Sequence, residues 1–155
     1  MGNTNTNTKE AVREFVRNNL RDQRDPDAIP RMTRMLLVDK SITDIDVKDS
    51  TCYDNTALHY QAYYGTTRSV AWLLQQDPPP DVNIRSSKQY TPLMCAADAD
   101  EDPEGKVRIL LEHGADRDLT NSVFGTNNAL YYARLTNKPA AVIDLLENYR
   151  PDVSR

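Results

Sequence analysis

Apolar positions along this chain fall into short clusters with helical spacing, each followed by a polar stretch rich in turn-forming residues. Val70-Ala71-Trp72-Leu73-Leu74, Val107-Arg108-Ile109-Leu110-Leu111 and Val142-Ile143-Asp144-Leu145-Leu146 each present one apolar stripe, as expected of a helix that buries a single face. Upstream of each cluster lies a second short apolar segment: Thr56-Ala57-Leu58-His59, Thr91-Pro92-Leu93-Met94 and Asn128-Ala129-Leu130-Tyr131, separated by 35 and 37 residues. Self-similarity at that period marks a stack of repeats rather than one mixed core. Each unit reads as helix, helix, turn. The turns are signalled by Asp77-Pro78-Pro79-Pro80-Asp81-Val82-Asn83 after one second helix and His113-Gly114-Ala115-Asp116 after the next. The fold class expected is therefore all-α, a solenoid of paired antiparallel helices joined by β-turn or hairpin-like loops.

These residues resemble the ankyrin-repeat family, whose unit of about 33 residues opens on Thr-Pro-Leu-His. The best match is Thr91-Pro92-Leu93 with Ala96-Ala97, followed by Leu110-Leu111-Glu112-His113-Gly114-Ala115-Asp116. The pattern has physical sense. Proline fixes φ in the first turn, where its missing N–H costs nothing, and Thr56 and Thr91 can offer hydroxyls to unpaired backbone amides. The resemblance is clear over residues 49–149. Residues 9–48 read as a divergent capping repeat: a helix from Lys9 to about Arg24, a second holding Ile29, Met32, Met35, Leu36 and Leu37, and a turn between Ile42 and Val47. Pro26 and Pro30 break the chain between these two helices. The organisation expected is a polar tail over 1–8, one ankyrin domain over 9–149 with repeats at 49–85, 86–118 and 119–149, and a short tail over 150–155. Insertions fall at Pro78-Pro79-Pro80, between Asp98 and Gly105, and between Thr120 and Asn127. Gln61 and Arg134 stand where the family packs alanine, and Arg134 reads as the outward face of a cap.

Composition narrows the function. The 155 residues are 39% hydrophobic and 27% charged with a formal charge of -4, a balance suited to a soluble domain and poorly suited to general binding of nucleic acid, which depends on neutralising phosphates. Two cysteines, Cys52 and Cys95, are too few for a disulfide framework and fit a reducing compartment. No apolar run approaches the ~20 residues that span a bilayer, and Met1–Thr8 holds no secretory segment. A cytoplasmic or nucleocytoplasmic monomer is expected.

Convergent catalytic groups are missing from the pattern. The two histidines, His59 and His113, occupy positions that the repeat itself explains, and the resemblance makes His59 a structural bridge between repeats. Cys52, His59, Cys95 and His113 lack the close pairs of a structural zinc site. Asp98, Asp100 and Asp102 alternate as in a calcium loop, but Pro103 stands at the sixth place and Ile109 at the twelfth, so the turn glycine and the bidentate carboxylate are absent. No phosphate-cradling loop occurs. No enzyme activity, cofactor or metal is expected, and the acidic run reads as a solvated loop before a helix.

The family resemblance implies a non-enzymatic interaction module, a scaffold, adaptor or inhibitor that takes a protein partner on the concave face made by loop tips and first helices. Carried over by position, the tips are Cys52–Asn55, Ser86–Tyr90 and Phe124–Asn127, and the free positions late in the first helices are Tyr63-Tyr64, Asp98-Ala99 and Leu135-Thr136. The partner-binding set is then Tyr53, Asn55, Tyr63, Tyr64, Lys88, Tyr90, Asp98, Phe124, Asn127 and Leu135, with the aromatic members as anchors. Tyr60, Tyr131 and Tyr132 are assigned to the core. Lys88 and Arg85 beside the acidic run give this surface mixed charge. An alternative comes from the amino terminus: Met1-Gly2-Asn3-Thr4-Asn5-Thr6 fits N-myristoylation at Gly2, and Arg13, Arg17, Arg21 and Arg24 share a helical stripe that could face anionic lipid. Interleaved Glu10, Glu14 and Asp22 can pair with these arginines, which favours a solvated face. Membrane contact is expected only if Gly2 is acylated.

Overall fold

A computed structural model describes residues 44–50, 53–121 and 125–152. Gly2, the arginine stripe, the two helices of the capping repeat, Cys52 and Phe124 lie outside the described residues. Among the described residues six helices follow in pairs: α1 (Ala57–Tyr64) with α2 (Thr67–Leu74), α3 (Pro92–Asp98) with α4 (Pro103–Glu112), and α5 (Ala129–Leu135) with α6 (Ala140–Asn148). No strand occurs among the described residues beyond a single antiparallel bridge between Asp49 and Asn55.

Helices α2 to α5 start where a side chain supplies an acceptor for the first amides. The Thr91 hydroxyl accepts from the Met94 N–H at 3.3 Å, the Thr66 hydroxyl from Ser69 at 3.1 Å, and the Asn128 side chain from Tyr131 at 3.0 Å. Pro92 and Pro103 occupy the first turns of α3 and α4. Helix ends are equally local. Gly114, at φ 87°, closes α4 as the Ala115 N–H bonds back to the Leu110 carbonyl, and Asn137, at φ 52°, takes the same left-handed role after α5. The insertion expected from Asp98 to Gly105 proves shorter, because Asp98 closes α3 and Pro103-Glu104-Gly105 already belong to α4. Asp102 is the hinge between them, accepting from the Gly105 N–H and from the Thr67 hydroxyl of the preceding repeat.

Helices of one rank pack on the same rank in the next repeat: α1 on α3 on α5, and α2 on α4 on α6, with each pair also packed internally. Close approach of the first helices rests on Ala62, Ala96, Ala97 and Ala133, all fully buried. Leu58, Leu73, Leu93 and Leu110 fill the layer between ranks, and burying each contributes about 1.5–3 kcal/mol. Each repeat therefore leans on its neighbours for a core.

Polar joints cross the same boundaries. His59 is buried; its Nδ1 accepts the Thr56 N–H at 3.1 Å, which leaves Nε2–H to donate to the Tyr90 carbonyl of the next repeat at 2.9 Å. That is the bridging role implied by the resemblance. Burial pushes the pKa of His59 down, keeping the ring neutral. Along the loops, Asp46 accepts from the Asp81 N–H and Asn83 from the Asp116 N–H, and Arg85 donates to the Thr120 carbonyl at 2.8 Å. At the far end Arg117 donates to the carbonyls of Leu146, Glu147 and Tyr149, collecting the unpaired groups at the end of α6.

One joint has no sequence signature. Lys106 of α4 is fully buried and reaches across to the preceding repeat, donating to the carbonyls of Gly65 at 3.1 Å, just beyond the end of α1, and of Tyr63 at 3.4 Å, in its last turn. Desolvation lowers its pKa to about 8, against the opposing pull of Asp102 and Glu101.

Candidate protein-binding surface

The concave face is built from turn tips and the late positions of first helices. At the first tip the chain passes through Tyr53 and Asp54, both near φ 55°, which closes a tight hairpin held by the Asp49 N–H on the Asn55 carbonyl at 2.8 Å. At the second, Ser86 N–H bonds the Tyr90 carbonyl, and Gln89 supplies the left-handed residue. The Ser87 N–H then donates to the Tyr53 carbonyl at 2.8 Å, locking the two tips side by side. The two tips lead directly into the starts of α1 and α3.

Between them lies an open groove of about 340 Å³, at the low end of the roughly 300–1,000 Å³ typical of ligand clefts. Tyr53, Tyr63, Tyr64 and Tyr90 form its walls. Buried His59, Tyr60 and Met94, with Cys95, form the floor, and Asn55, Ser86, Lys88 and Asp98 complete the lining. Tyr63 and Tyr64 meet edge to face at 4.6 Å, while Tyr90 leans on Tyr132 at 5.4 Å with their hydroxyls 3.3 Å apart. The Lys88 ammonium sits 3.9 Å from the Tyr53 ring centroid.

Titration follows these contacts. The hydrogen bond to Tyr132, together with burial, pushes the Tyr90 phenol up to about 12. Burial raises Tyr63, and the Asp98 carboxylate beside it adds to the shift. Asp98 is itself raised by burial, a cost that Lys138 and a hydrogen bond from Thr136 only partly offset.

Of the ten expected partner-binding residues, Tyr53, Asn55, Tyr63, Tyr64, Lys88, Tyr90 and Asp98 come together in this groove. Asn127 and Leu135 do not line it. Asn127 holds the third tip, its carbonyl accepting the Asn121 N–H, and Leu135, 61% exposed, lies with Tyr131 and Arg134 in a second depression on the outer flank of α5. Phe124 lies outside the described residues. Two expectations need correcting. Ala99 is fully buried, because α3 ends at Asp98 and extended backbone at Ala99 turns the chain back toward α4. Tyr131 is 40% exposed instead of core. It occupies the position of His59, which bonds forward to the Tyr90 carbonyl of the next repeat, and among the described residues no repeat follows that of α5 and α6. Tyr60 and Tyr132 are buried as expected. Met94 and Cys95 are lining residues that the pattern alone left outside the binding face, whereas Ser86 lines the groove from the tip where the pattern placed it.

The ankyrin-repeat family, in three copies, matches residues 5–121. The chain belongs to the ankyrin-repeat family. Members of this family generally act as protein–protein interaction modules, typically without enzymatic activity. Over 94 residues this ankyrin chain is 30% identical to delta-latroinsectotoxin-Lt1a of Latrodectus tredecimguttatus; the match covers 58% of the chain and 8% of the toxin. The chain thus spans a small fraction of that relative's length. Among the described residues no helix is long and apolar enough to cross a membrane, and no three His, Cys, Asp or Glu side chains are grouped to hold a metal ion.

Proposed function

We propose that this ankyrin stack holds a protein partner on its concave face, with the tyrosine groove between the first two tips as the anchoring pocket. The observation that carries this reading is the groove itself: four tyrosines from two repeats surround one depression, and Tyr53 and Tyr63 remain 55% and 36% exposed. Aromatic rings with a polar end are the side chains that most often dominate interface energies. Their positions are fixed by locked tips and by helix ends whose carbonyls are already bonded, so little ordering cost remains for binding.

Tyr53→Asn with Tyr63→Ala removes the two exposed walls without touching buried packing, and asparagine tolerates the left-handed backbone at position 53. The partner recovered by affinity capture with the unaltered chain is expected to be lost by this variant, while its circular dichroism and melting temperature stay unchanged. Undiminished recovery of every partner by the folded variant refutes the reading.

A further inference from the structure

The tyrosine groove holds one carboxylate, Asp98, and one ammonium, Lys88, among its aromatic walls. Aromatic faces carry negative quadrupole potential, and four of them surround a space whose lining includes one carboxylate, Asp98. Three cations stand near it, each with a partner: Lys88 lies over the Tyr53 ring, Lys106 is bonded to the carbonyls of Tyr63 and Gly65, and Lys138, paired with Asp100 at 3.3 Å, offsets only part of the burial cost of Asp98. His59 brings no charge, since both ring nitrogens are bonded to the framework. Lys88 also shows that a ring of this groove accepts a cation at van der Waals distance.

The geometry points to an arginine side chain of the protein partner as the occupant of this groove, its guanidinium stacked on the tyrosine walls and directed at the Asp98 carboxylate. This deepens the proposed function and rests on it. Arginine suits the site better than lysine because a planar, weakly hydrated guanidinium can lie against a ring while its N–H fork meets a carboxylate. The burial cost that raises the Asp98 pKa is the cost such a partner would relieve.

The test uses the full chain and four pools of fluorescent octapeptides, randomised except for a central arginine, lysine, citrulline or leucine. Citrulline keeps the planar shape and removes the charge. The arginine pool is expected to bind about tenfold more tightly than the citrulline and leucine pools, with lysine between them. Asp98→Asn and Tyr64→Leu, each confirmed folded by circular dichroism, should each reduce that preference severalfold. Two variants of different chemistry keep the test open if one misfolds. Equal binding of all four pools, a preference unchanged in both variants, or no binding by the arginine pool overturns the assignment. Leucine-pool binding that is lost in the Tyr53→Asn, Tyr63→Ala variant would leave the groove a docking site while removing arginine as its occupant.

Discussion

Lys106 offers a sharp test of how the repeats are joined, because its burial is written into a pH dependence. With a native pKa of about 8 against 10.5 unfolded, the unfolded chain holds more protons than the native one as pH rises past 8, so stability increases with pH. Between pH 7 and pH 9 that gain amounts to about 1 kcal/mol, from a difference of two to three pKa units only partly spanned by the window. Asp102, Glu101 and Cys95 raise the Lys106 pKa and Lys138 lowers it, but desolvation outweighs them all. Above pH 9 the sign reverses for another group: burial pushes the Cys95 thiol up to about 12, so the unfolded chain loses that proton first and stability falls. The measurement is urea denaturation followed by circular dichroism at pH 7, 8 and 9. Lys106→Met, which keeps the buried stem and removes the titrating group, serves as reference. The unaltered chain should gain stability relative to Lys106→Met across this range. A constant difference between the two proteins would show that Lys106 keeps an ordinary pKa in the fold and would refute the desolvation argument.

Two further perturbations address other joints. His59→Leu leaves the Tyr90 carbonyl and Thr56 N–H without their partner and should cost about 2–3 kcal/mol in urea denaturation. With His59 intact, stability should be complete above about pH 6.5 and decline below it, since protonation of the depressed ring favours the unfolded chain; the decline should be smaller in His59→Leu. Gly65→Ala introduces a Cβ against the Gln61 carbonyl and the Ser69 hydroxyl, at 2.8 and 2.7 Å, and should destabilise by about 1–3 kcal/mol in the same assay. A melting temperature equal to that of the parent would show that the turn between α1 and α2 can relax.

The pairing of helices and the repeat boundaries were legible because both rest on local rules: apolar spacing, Thr and Asn caps, and Pro or Gly at the ends. His59 was legible for the same reason, as part of a repeating motif. Lys106 was not, since a lysine at the start of an amphipathic helix reads as solvated and its carbonyl partners lie more than 40 residues away. Most of the groove residues could be placed by repeat position alone. Their electrostatic balance could not, because it depends on which neighbour each cation chooses: Lys88 lies on Tyr53, and Lys138 turns to Asp100. Tyr131 failed as a core residue because periodicity identifies a forward-pointing position without saying whether anything stands in front of it.

Tyr63 and Tyr90 each serve two purposes with different atoms. Their rings face the groove, while their main-chain carbonyls receive Lys106 and His59 across repeat boundaries. A carbonyl is present whatever side chain follows it. Substitution at these two positions can therefore rewrite what the surface recognises while the main-chain couplings persist, although at Tyr90 the ring and hydroxyl contacts to Tyr132 of the next repeat would be lost, so specificity can drift, or be engineered, most freely at Tyr63.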